Sequence, residues 1–261
     1  MDVEAVLREL TNAPDYEGQI VHVERVPARK AQLATPRNRL PYALENALRA
    51  LGIEHLYSHQ AAALDALAAG KNVVIVSGPA SGKSLCYQMP ILTARLGQPS
   101  ERALLLFPTK ALAQDQLRAF ERLAAALSGL SLGAGVVDGD TPPDARRKLC
   151  QSGRIILTNP DFLHAAILAN HSRWATFFET LRYIVLDELH VYTGLFGANV
   201  GNLFRRLWRV LDHYGAHPQV ICCSATVANP QQLAEQLVGR PFDLVADDGS
   251  TRGARTYVLW N

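Results

Sequence analysis

What this sequence lacks narrows its chemistry first. Its four cysteines, Cys86, Cys150, Cys222 and Cys223, show no CxxC or Cys/His spacing. Cys222 and Cys223 are neighbours in an apolar run and would point to opposite faces of a strand. That pattern argues against a zinc site and a disulfide framework and reads as buried, reduced thiols in a cytosolic protein. No apolar run approaches membrane-spanning length, and the acidic, amphipathic start MDVEAVLREL is unlike a signal peptide. Net charge is scarce too. At +2 it gives no global attraction for nucleic acid, so any such surface must come from local patches. Lysine is rare, with five (Lys30, Lys71, Lys83, Lys110, Lys148) against twenty-one arginines. Base composition accounts for the bias in an Ala-rich chain. Where a lysine persists, however, a compact ammonium is needed rather than any positive charge. There is no internal repeat and no low-complexity tract.

What is present is an ordinary globular composition, 48% hydrophobic and 19% charged over 261 residues. That length suffices for one large α/β domain, alone or with a small appendage. From about residue 71 onward, short β-rich runs alternate with helical patterns. Strands are expected at 72–76, 103–107, 132–137, 154–157, 183–186 and 220–223. Helices are expected at 83–96, 111–127, 143–150, 161–168, 198–214 and 230–238. Asn229 and Pro230 read as N-cap and first-turn proline, and Gly239 ends that helix. Nearly continuous apolar strands separated by helices imply a parallel sheet covered on both faces, whose ligands bind beyond the carboxyl ends of the strands. The first seventy residues differ. Residues 11–39 are rich in proline and arginine with one strand-like piece at 19–26. Two helices follow at 41–51 and 59–69, the second with Ser58 as its expected N-cap.

The chemical motifs fall just after expected strands. NVVIV runs into Ser77, Gly78, Pro79, Ala80, Ser81, Gly82, Lys83 and Ser84, which miss the phosphate-loop pattern only in having serine at its first position. Small residues let backbone N–H groups turn inward and cradle phosphate oxygens at a helix N-terminus. Lys83 would reach the β- and γ-phosphates, and Ser84 would ligate Mg²⁺. The strand YIVL then ends in Asp187 and Glu188. The first carboxylate is placed to hold Mg²⁺, and the second to take a proton from an attacking water. Two adjacent acids leaving a buried strand would be costly as core residues, since both charges need partners. Cys223-Ser224-Ala225-Thr226 again follows an apolar strand.

In order, GKS, FPTKALAQDQ, LTNPD, DELH and SAT resemble the first RecA-like domain of DExH-box superfamily 2 helicases, from about residue 56 to 227. The resemblance implies ATP and Mg²⁺ as cofactors, with Lys83, Asp187 and Glu188 catalytic and Ser84 and Asp187 on the metal. It implies that His190, Ser224 and Thr226 couple hydrolysis to motion. Gln60, seventeen residues before Ser77, resembles an adenine-reading glutamine, whose amide can pair with both a donor and an acceptor. Tyr57 either stacks nearby or is an exposed aromatic at a helix start. YSHQ, VDGDTP, LTNPDFLH, DELHVYTGLFGANVGNLFRRL and CCSATVANP are further similar to MrfA/YprA-type DNA-repair helicases. These are 3′-to-5′ enzymes with a second RecA-like domain, an arginine finger and a four-cysteine zinc domain that this chain does not contain. The expected organisation is an N-terminal extension (1–55), the motor domain (56–240) and the start of a connection to a missing second motor domain (241–261). The expected setting is bacterial, cytoplasmic and nucleoid-associated.

The same resemblance places single-stranded or duplex DNA against Pro108, Thr109 and Lys110 after one strand and Thr158 and Asn159 after another, with phosphates met at helix N-termini. Asp138 and Asp140 would shape a loop or pair with Arg146 or Arg147. Arg146 either touches the backbone or belongs to a solvated helix face, and the same two readings hold for Arg147, Arg205 and Arg206. The alternatives are an RNA helicase or DNA translocase half-motor, a different phosphate-loop enzyme, and a nucleic-acid-binding module with weak ATPase. Asp187, Glu188 and the absence of an NKxD tetrapeptide disfavour a kinase or GTPase. The domain by itself is expected to bind ATP–Mg²⁺ and contact DNA, with little or no unwinding.

Overall fold

A computed structural model of the chain describes residues 3–127 and 130–261. Its elements divide into two compact units, one of the described residues up to Gln32 with Gly249–Asn261, the other Leu33–Asp248. These divisions fall at 32/33 and 248/249, away from the expected 55/56 and 240/241.

In chain order the strands are β1 (Ile20–Val26), β2 (Leu33–Ala34), β3 (Leu56–Tyr57), β4 (Val73–Val76), β5 (Arg102–Leu106), β6 (Ala134–Val136), β7 (Ile155–Thr158), β8 (Leu181–Leu186), β9 (Gln219–Ser224), β10 (Asp243–Val245) and β11 (Arg255–Trp260). The helices are α1 (Val3–Thr11), α2 (Tyr42–Ala50), α3 (Ser58–Ala68), α4 (Leu85–Gly97), α5 (Lys110–Ala125), α6 (Pro143–Ser152), α7 (Pro160–Phe162), α8 (Ala175–Glu179), α9 (Gly194–His213) and α10 (Pro230–Val238). Among the described residues no helix is long and apolar enough to cross a membrane.

The larger unit is built on a seven-stranded parallel sheet in the order β10-β4-β9-β8-β5-β7-β6. The alternation of apolar runs and helices led to a parallel sheet of this kind, and the RecA-like α/β fold is the one that the family resemblance implied. Side-chain alternation splits the core into two. Val74, Leu104, Ile184 and Cys222 face one layer of helices, and Ile75, Leu105, Val185 and Cys223 face the other. Both adjacent cysteines are therefore buried on opposite faces, as free thiols. Fully burying one such aliphatic side chain contributes roughly 1.5–3 kcal/mol, so the central strands are pinned in register from both sides.

Several local expectations are corrected. The N-cap of α3 is Tyr57, in extended conformation, and Ser58 is already helical. The Tyr57 N–H is taken by Gln60 Oε1 at 2.9 Å, the reaching-back half of a capping box. Asn229 does precede α10, but in left-handed conformation (φ 50°) and without a side-chain cap bond. The helix expected at 161–168 is instead α7 followed by a wide turn at Leu163–Ile167 and a tight one at Leu168–Trp174, broken at Asn170. Trp174, Phe177 and Phe178 are buried just after this break with edge-on ring contacts. The expected connection beyond 240 contains β10, which joins the sheet beside β4.

The smaller unit is an antiparallel ribbon of β1 and β11, running from Ile20↔Trp260 to Val26↔Arg255, with Arg29 bridged to Arg252. Helix α1 belongs to it, and its Glu4 pairs with Arg25 at 2.9 Å.

Candidate nucleotide site and nucleic-acid face

Strand order places the chemistry. β9 lies between β4 and β8, so the loops after all three emerge side by side at one carboxyl edge. Ser77 continues the β4–β9 ladder through its N–H to Ser224 O (3.4 Å). Its buried hydroxyl sits 2.6 Å from that of Ser81. Ser77 has no positive φ, so glycine is not demanded there. The left-handed positions in the loop are Ala80 (φ 56°) and Gly82 (φ 75°). A Cβ on Gly82 would meet Gln60 Nε2 at 2.6 Å, and Gln60 Nε2 donates to Gly82 O at 3.1 Å. The predicted adenine reader thus braces the phosphate loop against α3, with Tyr57 stacked on His59 (5.8 Å, 17°).

The loop presents donors that call for an anion. Gly78 N–H is met by the Asp248 carboxylate at 3.1 Å, and Lys83 Nζ donates to Ser77 O (3.0 Å) and Ser224 O (3.2 Å). A loop N–H satisfied by a carboxylate, together with an ammonium at a helix start, fits the demands of a polyphosphate.

Across β9, Asp187 N–H donates to Leu106 O at 3.0 Å, which extends β8 by one ladder bond and fixes the acid at its tip. Asp187 Oδ1 accepts from Glu188 N at 2.9 Å, and Oδ2 lies 3.2 Å from the Tyr87 hydroxyl. Burial pushes the Asp187 carboxyl up to about 6, and the Glu188 charge adds to this. The Glu188 N–H, Tyr87 and Lys83 oppose it. The Ser84 carbonyl accepts from the Tyr87 N–H at 3.3 Å, so Ser84 and Asp187 share a neighbour. Among the described residues no group of three or more His, Cys, Asp or Glu could cage a metal. Two protein oxygens plus phosphate oxygens and water is the usual arrangement for Mg²⁺, and the Ser84/Asp187 pair fits it.

Glu188 adopts φ 54°, a strained conformation for a non-glycine residue and one that clusters at functional sites. Its Oε2 is 3.3 Å from His190 Nδ1, which is also 3.4 Å from Ala225 N–H. One ring nitrogen cannot serve both: as an acceptor it takes Ala225 N–H, and as N–H it donates to Glu188. His190 therefore joins the loops after β8 and β9. Ser224 is wholly buried and acts here through its carbonyl, while Thr226 is exposed.

Tyr87 was not singled out by motif. It lies four residues after Lys83 on α4, and that i,i+4 spacing is the sequence signal that could have found it. Asp248 carries no such signal. Only the fold brings it to the phosphate loop.

The other half of the edge, after β5, β7 and β6, is built differently. Thr109 caps α5, its hydroxyl accepting from Leu112 N at 3.3 Å. Asn159 caps α7, accepting from Phe162 N at 2.8 Å. Pro108 is half-buried. Lys110 is exposed and forms an ion pair with Asp140. Thr158 is 1% exposed and donates to Val137 O at 2.6 Å, so its side chain points inward. Arg146 is drawn in as well. It donates to Asp138 O (3.1 Å) and Thr141 O (3.2 Å) and lies over the Phe162 ring at 5.0 Å. The expected acid–arginine pairing is therefore not the one formed. Asp140 takes Lys110, and Asp138 binds its own loop through Thr141 and the Asp140 N–H. Arg147 pairs with Asp144, and Arg206 reaches His164 O.

The DEAD/DEAH box helicase family matches residues 57–233. The ATP-dependent helicase YprA of Bacillus subtilis is 42% identical over 255 residues, covering 98% of this chain and 34% of that protein. The ATP-dependent helicase hrq1 of Schizosaccharomyces pombe is 38% identical over 265 residues, 99% of this chain and 25% of that one. Among solved structures, the DUF1998 helicase MrfA bound to DNA superposes with TM-score 0.94 at 40% identity, covering 100% of this chain and 36% of MrfA. MrfA bound to DNA and AMPPNP superposes with TM-score 0.92 at 40% identity, over 98% of this chain and 35% of that one. The chain spans about a quarter to a third of the length of these relatives.

Proposed function

The chain belongs to the DEAD/DEAH box helicase family, and from that premise we propose that it is the ATP-binding first motor domain of a DNA-repair helicase moving 3′ to 5′ on DNA. The observation that carries this reading is the meeting of Lys83, Asp187, Glu188 and His190 at the carboxyl ends of three adjacent strands. Lys83 neutralises phosphate charge. Ser84 and Asp187 would hold Mg²⁺, which would supply positive charge to the bound triphosphate. Glu188 accepts the proton of the attacking water. His190 passes the state of that acid to the loop after β9, and Gln60 reads adenine by exchanging its protein hydrogen bonds for those of the base.

A second RecA-like domain, elsewhere in a longer polypeptide or in another subunit, closes on this edge and supplies the remaining charge. DNA lies over the caps of α5 and α7, as in a protein that would work in the bacterial cytoplasm at the nucleoid. The likeness to the DNA- and AMPPNP-bound MrfA structure supports this arrangement.

Two variants test it. Lys83→Ala should weaken binding of a fluorescent ATP analogue to this chain by roughly tenfold or more, the loss of a charged hydrogen-bonding group. Glu188→Gln, in a polypeptide that includes the second motor domain, should keep nucleotide affinity while DNA-stimulated ATPase falls by about 10²- to 10⁴-fold. Undiminished ATPase in Glu188→Gln would remove that residue from the mechanism. ATP-analogue binding unaffected by Lys83→Ala would remove the phosphate loop.

A further inference from the structure

Beneath the nucleotide site lies a hydroxyl with more acceptors than protons. Tyr87 is fully buried on α4, one turn after Lys83, and its ring packs beside Phe120 of α5 with centroids 6.2 Å apart. Its hydroxyl is 2.8 Å from Gln116 Oε1 on α5 and 3.2 Å from Asp187 Oδ2 at the tip of β8. A phenol has one proton to donate, and both an amide oxygen and an ionised carboxylate only accept. The proton therefore serves one partner at a time. Gln116 is held for this role, because its Oε1 also accepts from Gln88 Nε2 at 3.4 Å. It stands six residues into a helix whose first residue is Lys110 and whose cap is Thr109, about 9 Å along the axis at 1.5 Å per residue.

We infer that Tyr87 is a positioning residue that couples the metal side of the nucleotide site to the nucleic-acid loop through Gln116. The Asp187 carboxylate would be the poorer acceptor with a cation bound, since its electron density would then be shared. The Tyr87 proton then goes to Gln116 and braces α5 under the Pro108–Lys110 loop. Without the cation the carboxylate competes for the same proton, with both acceptors in reach, and the brace on α5 is weaker. The inference rests on the proposed reading of Asp187 as a magnesium residue and of Pro108–Lys110 as a DNA loop.

Two substitutions and two binding measurements test it on the chain itself. Tyr87→Phe removes the hydroxyl and keeps the ring. Gln116→Leu removes the α5 end and leaves Tyr87 facing Asp187. In the wild type, Mg²⁺ with a non-hydrolysable ATP analogue should change single-stranded DNA affinity by about fivefold or more, the usual lower range of site-to-site coupling. Both variants should bring that factor towards one. Tyr87→Phe should also lower the Mg²⁺ half-saturation for analogue binding several-fold, because the carboxylate no longer gives up a donor to take the cation, whereas Gln116→Leu should raise it, because the displaced proton has no second acceptor. Retention of the wild-type coupling factor by Tyr87→Phe overturns the inference. So does an equal loss of analogue affinity with and without Mg²⁺, which would make Tyr87 a packing residue. A wild-type chain that binds Mg²⁺–analogue but no DNA would sink the proposed function instead. The magnesium titration of Tyr87→Phe would then still judge Tyr87, an unchanged half-saturation counting against it.

Discussion

The carboxyl edge of the sheet has two halves that use polar side chains in opposite ways. After β4, β9 and β8, side chains bond across strands and loops to backbone or side-chain groups, most of them from distant parts of the chain. Gln60 holds Gly82, Lys83 reaches Ser224, Tyr87 meets Asp187, and His190 spans Glu188 and Ala225. After β5, β7 and β6, most side chains bond to the loop or helix that carries them, or to its nearest neighbour. Thr109 and Asn159 cap their own helices, Thr158 ties β7 to Val137, and Arg146 closes the Asp138–Thr141 turn. The first half is preorganised for one ligand with fixed stereochemistry. The second offers helix N-termini and a single masked lysine, which suits a repeating phosphate backbone met by shape and position.

The contrast can be broken or sharpened by substitution. The largest effect should come from Asp187. Its folded carboxyl titrates at about 6 against an ordinary 3.8, so folding takes up a proton between those values. Stability from this group is complete below pH 3.8 and lost as pH rises through about 6. Asp187→Asn should therefore stabilise the ligand-free chain at pH 8 by about 2–3 kcal/mol and do nothing at pH 3, as read from urea unfolding at both. Mg²⁺-dependent nucleotide affinity of the wild type should rise over the same window, as the carboxylate ionises. A variant no more stable than wild type at pH 8 would mean that the site is not strained for its ligand.

Asp140→Asn comes next. The Asp140 carboxylate beside it raises the Lys110 ammonium above its usual range and masks it. Its removal should strengthen single-stranded DNA binding several-fold and steepen the salt dependence by about 0.7 in log–log slope, one more phosphate contact. An unchanged slope in fluorescence anisotropy titrations would take Lys110 off the nucleic-acid face.

Thr158→Val should have the smallest effect. It leaves the Val137 carbonyl without its 2.6 Å donor and should lower stability by about 1 kcal/mol, with DNA affinity unmoved. A loss of DNA affinity without a loss of stability would restore Thr158 as a contact residue and blur the two halves together.

Legibility in the sequence follows the same division. Gly82, Lys83, Ser84, Asp187 and Glu188 could be found because phosphate and metal chemistry demand particular residue types just after particular strands, and strand ends are visible in apolar runs such as Val73–Val76 and Leu181–Leu186. Ser77 looked like a departure from the pattern. The structure explains it, because the left-handed turns fall at Ala80 and Gly82 and the Ser77 hydroxyl closes the loop onto Ser81. Thr158 and Arg146 read equally well as exposed donors or internal braces, since a hydroxyl or guanidinium serves either role and only burial tells them apart. β10 was missed because it is only three residues long, and β11 because none of its residues is buried; each is paired with a strand far away in sequence.

By itself, then, the sequence determined the alternation of strands and helices, the two-faced apolar core and the acid, lysine and serine of the nucleotide site. Each of these follows from local periodicity or from the stereochemistry of a ligand. The tertiary structure alone decided which strands are neighbours and that Asp248 meets the phosphate loop. It alone decided that Lys110 is held by Asp140 and that Tyr87 stands between Asp187 and Gln116. Those contacts join residues tens to more than a hundred positions apart, and no local pattern encodes a pairing that only the closing of the sheet creates.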